Sequence, residues 1–173
     1  AYANQKEYTQ AIKAYQKAIE INPKKDEAYY NMGIAYANQK EYTQAIKAYK
    51  KAIEINPKKD EAYYNMGNAY FNQNEYTQAI KAYQKAIEIN PKRDEAYYNM
   101  GYAYYVQKEY TQAIKAYQKA IEINPKHGEA HINLFELQLI LNQPFEATLQ
   151  ADFVALFAVS YTHLRAHETV LDF

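Results

Sequence analysis

Residues 26–59 read DEAYYNMGIAYANQKEYTQAIKAYKKAIEINPKK, and the chain writes nearly this text three times, next at 60–93 and then at 94–127. Pro23, Pro57, Pro91 and Pro125 are each 34 residues apart. Self-similarity at a fixed period of this size marks a stack of supersecondary units, none of which can close a core alone. A partial unit, 1–25, precedes the three, and 128–158 continues the period in a degenerate form. The opening AYANQKEY recurs unchanged at 35–42, inside a unit, so we expect the chain to be a fragment that starts partway through a repeat.

Each unit reads as two amphipathic helices. In the first, Asp26 stands where an N-cap belongs, its carboxylate able to accept from orphan backbone N–H groups. Tyr29, Met32, Gly33 and Tyr36 fall at helical spacing and predict a buried stripe. A turn follows over 39–41, and Asn74 in place of Lys40 and Lys108 suggests a left-handed backbone there. The second helix should bury Tyr42, Ala45, Ile46, Tyr49, Ala52 and Ile53 and turn Lys47, Lys50 and Lys51 to water. Asn56-Pro57 stops it, because proline disfavours helix at the residue before it. Gly33 recurs as Gly67 and Gly101 although glycine costs about 1 kcal/mol relative to alanine inside a helix. A close helix–helix approach would account for it, with Ala45, Ala79 and Ala113 as the expected partners.

These residues carry a resemblance. Tyr29, Met32, Gly33, Tyr36, Ala45, Tyr49, Ala52 and Pro57 occupy the signature slots of the 34-residue tetratricopeptide repeat (TPR), with Tyr for Trp and Met for Leu as mild departures. The resemblance implies an all-α solenoid, a right-handed superhelix of stacked antiparallel helix pairs whose first helices line a concave groove. It also implies a protein–protein interaction scaffold.

The three full units differ from one another at only six positions. Three sets, Ile34/Asn68/Tyr102, Ala37/Phe71/Tyr105 and Asn38/Asn72/Val106, share one face of the first helix at spacings i, i+3 and i+4. That face is expected to lie opposite the Met/Gly/Tyr stripe and, by the resemblance, to line the groove. The remaining differences, in the turn, the second helix and the linker, are mostly polar for polar. Asn31, Asn65, Asn99 and Asn133 recur three residues before the first variable position, with Tyr30, Tyr64 and Tyr98 beside the first three. An amide offers both donor and acceptor to a peptide backbone. First helices stacked ~10 Å apart would match about three residues of extended peptide. The arrangement is similar to the asparagine ladder in the TPR groove of O-GlcNAc transferase. Plain solvation of a polar helix residue is the competing account.

Other chemistry is expected to be absent. Twenty basic and twenty acidic residues cancel, against nucleic-acid binding through a basic face. No apolar run is long enough for a membrane span. Zero cysteines exclude disulfides and thiolate metal sites. His127 and His131, like His163 and His167, are four apart but lack a third ligand nearby, so no metal or other cofactor is expected. No phosphate loop, nucleophile elbow or paired-carboxylate setting points to an enzyme; the alternative is the recognition arm of a larger enzyme, such as a protein glycosyltransferase. Chaperone-tail TPRs of the Hsp70/Hsp90 type need Lys or Arg in the groove, whereas Glu27, Glu61 and Glu95 stand here, so acidic C-terminal tails are disfavoured.

From Gly128 two further helices are expected, over 129–141 and 145–158, as a capping repeat or as the start of another domain. The last segment, 159–173, breaks with everything before it. Its VSYTHLRAHET resembles one translated frame of a transposase adaptor used in sequencing libraries, which would leave His163 and His167 without biology.

Overall fold

The computed structural model describes residues 2–141, with side chains from residue 6. The second helix expected over 145–158 and the adaptor-like segment lie outside these residues. Among the described residues the chain forms α1 (Tyr2–Ile21), α2 (Asp26–Asn38), α3 (Tyr42–Ile55), α4 (Asp60–Asn72), α5 (Tyr76–Ile89), α6 (Asp94–Val106), α7 (Tyr110–Ile123) and α8 (Gly128–Ile140), with no strand. The expected start of α8 shifts by one residue. Each helix packs on the next in sequence, and α2, α4 and α6 also touch one another in succession. This is a TPR solenoid.

Local chemistry explains the boundaries. The turn residues Lys40, Asn74 and Lys108 all sit at φ near 62°, as the Asn-for-Lys exchange suggested. The following amide reaches back to close each turn: Glu41 N donates to Tyr36 O at 2.9 Å. Asn56, Asn90 and Asn124 end the second helices just before proline. The N-cap expectation fails. Lys25 rather than Asp26 takes that place, and no side chain caps α2. The Asp26 carboxylate instead accepts from Asn56 Nδ2 at 3.0 Å and Lys59 Nζ at 3.1 Å, bonds that tie the start of α2 to the linker that closes its own unit.

The core is built from alanine and tyrosine. Ala45, Ala52, Ala79, Ala86, Ala113 and Ala120 are fully buried, and Tyr49, Tyr83 and Tyr117 nearly so. Ala28, Ala35 and Ala48 are also buried, whereas Tyr29, Met32 and Tyr36 are only half-buried. The recurrent glycine does mark a close approach, but the partner is an aromatic ring. A Cβ on Gly67 would stand 2.5 Å from Tyr83 Cε1, and one on Gly33 as close to Tyr49 Cε1. The alanines expected there serve as general core instead.

Candidate functional site

The variable face is not opposite the core. Ile34 and Ala37 pack against the cluster of Ala45, Ile46, Tyr49 and Ala69, which joins α3 of the same unit to α4 of the next. Of their counterparts Asn68, Phe71 and Tyr105 stay half-buried while Tyr102 emerges, 39% exposed; Val106, in the slot of Asn38 and Asn72, is 36% exposed. Asn38 and Asn72 are exposed, the latter donating from Nδ2 to the Asn68 carbonyl oxygen at 2.8 Å.

The recurrent asparagines and tyrosines are joined to one another. Asn65 Nδ2 donates to the Tyr30 hydroxyl at 3.0 Å, Asn99 Nδ2 to that of Tyr64 at 3.0 Å, and Asn133 Nδ2 to that of Tyr98 at 3.2 Å. Each bond crosses from one repeat to the preceding one. Asn31 occupies the equivalent slot on α2, where the unit before it contributes α1 alone among the described residues. Tyr30, Tyr64 and Tyr98 in turn pack on Tyr49, Tyr83 and Tyr117, with ring centroids 6.1, 6.0 and 5.7 Å apart. Burial pushes the phenol pKa of Tyr30 and Tyr98 up, and that of Tyr49, Tyr83 and Tyr117 much further, so all five stay protonated donors at neutral pH. Beside these donations, the side chains of Asn65 and Asn133 each retain an acceptor oxygen.

One interface differs. Asn68 Oδ1 accepts from the Tyr83 hydroxyl at 2.7 Å and from Asn99 Nδ2 at 3.0 Å, a network that Ile34 cannot form in the repeat before. Beside it Phe71, Asn72 and Tyr102 wall a concavity of 250 Å³, and a second of equal size lies between Tyr102, Tyr105, Asn133 and Glu136. Their aromatic wall is continuous. Phe71 meets Tyr76 edge-on at 5.2 Å and Tyr102 at 5.4 Å; Tyr102 stacks on Tyr105 at 6.0 Å; Tyr105 reaches Tyr110 at 6.0 Å. Tyr76 and Tyr110, which repeat the Tyr42 position expected to be core, are therefore also part of this wall. The signal that could have found them is their place at the start of the second helix, just past the turn that follows the variable face.

Among the described residues no group of three or more His, Cys, Asp or Glu could hold a metal ion, and no helix is long and apolar enough to cross a membrane. His127 accepts at Nδ1 from Ala130 N at 3.4 Å and caps α8, while His131 is buried with Nε2 3.1 Å from the Pro125 carbonyl oxygen. The pair is spent on the fold.

Two-helix units at a 34-residue period, stacked with their first helices in file, define a helical-repeat interaction module. The chain belongs to the tetratricopeptide-repeat family: models described as TPR repeat match residues 1–40, 38–74 and 67–108, and models described as tetratricopeptide repeat match 94–127 and 116–148. Among solved structures, one of MamA protein is 31% identical, covers 84% of this chain and 80% of its own, and superposes with a TM-score of 0.77. A second MamA crystal structure is 28% identical over 96% of this chain and 92% of its own, TM-score 0.73. The first TPR of Spaghetti (RPAP3), bound to the HSP90 peptide SRMEEVD, is 25% identical over 69% of this chain and 94% of its own, TM-score 0.66. No curated protein sequence matches the chain.

Proposed function

We propose that the chain is a scaffold that holds an extended segment of a partner protein in the groove lined by α2, α4, α6 and α8. The observation that carries this reading is the aromatic wall of Phe71, Tyr102 and Tyr105, which stands partly open to water on the face where otherwise near-identical repeats diverge. Aromatic side chains of this kind supply large contact area at low entropic cost and dominate binding energy where they anchor an interface. The amide oxygens of Asn65 and Asn133 would accept from backbone N–H groups of the segment, so grip on the main chain would not require a particular sequence.

The segment is not an acidic tail. Spaghetti is bound to a peptide ending in EEVD, but here Glu27, Glu61 and Glu95 are exposed along the first helices, and like charges oppose one another across an interface. A neutral or basic segment fits.

Screening a random extended-peptide library against the full chain tests the proposal. Ligands should emerge whose affinity falls roughly tenfold or more in Tyr102→Ala, as expected for loss of an aromatic anchor. A library that yields no ligand, or ligands indifferent to Tyr102→Ala and Phe71→Ala, overturns it.

A further inference from the structure

In the linkers after α3 and α5 a basic side chain closes a small clasp onto the start of the first helix of its own unit. Lys59 Nζ lies 3.1 Å from Asp26 Oδ2 and 5.2 Å from the centre of the Tyr30 ring. Arg93 Nε lies 2.8 Å from Asp60 Oδ2, and its guanidinium is 5.2 Å from the Tyr64 ring. Each aspartate is also held by an asparagine amide, Asn56 or Asn90, at 3.0 Å.

The third clasp keeps everything but the cation. Asn124 Nδ2 donates to Asp94 Oδ2 at 2.6 Å, and Tyr98 presents the same ring. His127 stands where Lys59 and Arg93 do. Its shorter side chain turns onto the Tyr98 ring, 4.7 Å between centres, and its Nδ1 is committed to capping α8. No ion pair joins a base to Asp94 among the described residues, and Gly128 removes the side chain that Asp60 and Asp94 provide at that step of the earlier units. What remains is a concavity of 590 Å³ lined by Asp94, Glu95, Tyr98, His127, Glu129 and Asn133. Lys126 also borders it, exposed to water like its counterparts Lys58 and Lys92, so three carboxylates face one ammonium.

We propose that this concavity is a pocket for one basic side chain, lysine or arginine, of the bound segment. The evidence for the ligand class is internal to the chain: two sites built from the same aspartate, asparagine and tyrosine both hold a cation, and the third has the room and charge but no resident one. An incoming guanidinium would pair with Asp94 as Arg93 pairs with Asp60, with Glu95 and Glu129 adding attraction. Asn133 borders both this pocket and the concavity of Tyr102 and Tyr105, so one segment can place a basic residue here and an apolar one there. The inference rests on the peptide-scaffold reading for its natural ligand, but the pocket's taste for a cation can be measured without it.

The test is an NMR titration of the isotope-labelled full chain with N-acetyl-arginine amide, and with its neutral isostere N-acetyl-citrulline amide. Saturable shifts should appear at His127, Gly128 and Glu129 with the arginine probe and not with citrulline, while the surroundings of Lys59 and Arg93 stay still. Asp94→Asn should weaken the response roughly tenfold or more, the scale of losing one partner of a desolvated charge pair. His127→Arg, which restores the residue of the preceding unit, should abolish it with the fold intact by circular dichroism. Equal responses to both probes, equal shifts at Glu27 and Glu61, or a response that survives His127→Arg would overturn the proposal. Failure of the groove reading shows elsewhere, as peptide binding indifferent to Tyr102→Ala.

Discussion

At the scale of single residues, three glycines and three turn positions carry the clearest consequences. Alanine is the better helix former by about 1 kcal/mol, so Gly67→Ala would stabilise an open helix. Here the new methyl meets a buried Tyr83 ring that its neighbours hold in place, and overpacking costs typically about 1–3 kcal/mol. We expect the ring clash to prevail, with a net loss of ~1–2 kcal/mol in urea unfolding. The turns predict the opposite sign. Lys108 sits at φ 63°, a conformation that costs a non-glycine residue roughly 1 kcal/mol, so Lys108→Gly should raise the melting temperature by a few degrees. The same change at Asn74 should gain less, because asparagine tolerates that region better. The left-handed turn was legible in the sequence because one repeat had already exchanged Lys for Asn. The ring over Gly67 was not: alanine and tyrosine recur with the same period, and spacing alone cannot say which of two equally periodic neighbours fills the gap.

At the scale of helices, the linker clasps decide how firmly neighbours join. Asparagine hydrogen bonding and the Lys59 charge hold the Asp26 carboxyl below its usual pKa despite the cost of burial. For Asp60 burial pushes up, but the bonds from Asn90 and Arg93 outweigh it and the net direction is again down. A carboxylate depressed by folding contributes stability that is present above the ordinary pKa of 3.8 and is lost as pH falls through the lower folded value. Asp60→Asn should therefore cost ~1.5 kcal/mol at neutral pH, and the gap to the parent chain should close as urea curves are repeated at progressively more acidic pH. Asp94→Asn, which breaks no ion pair, should cost less under the same conditions. The helix pairs and their ends could be read from periodicity, proline and the turn. The aspartate's role could not, since its partners lie 30 and 33 residues away and an N-cap is the simplest local use for the same residue.

At the scale of the molecule, helix contacts among the described residues run within units and between neighbouring ones, so stability is close to a sum of repeat and interface contributions. Deleting residues 60–93 joins two equivalent linkers; the shortened chain should stay helical, with a urea m-value reduced roughly in proportion to the surface lost. An unfolded product would contradict that additive picture. The all-α solenoid of the described residues was legible, because a 34-residue period admits few solutions. The aromatic wall was half legible: the variable positions pointed to Phe71, Tyr102 and Tyr105, but Tyr76 and Tyr110 never vary and so gave no contrast. The Asn68 network has a consequence for how the chain assembles. Near-identical units invite mis-stacking, in which α6 docks on α2 and α3 while residues 60–93 loop out; each doubling of loop length costs only ~0.6 kcal/mol, so the loop closure itself costs ~2 kcal/mol. In that slipped register Asn99 would find Tyr30 in place of Tyr64 but Ile34 in place of Asn68, and would forfeit the 3.0 Å bond it makes in the correct one. The few letters that differ between copies thus act as an address label, telling each unit which of its near-twins is its proper neighbour.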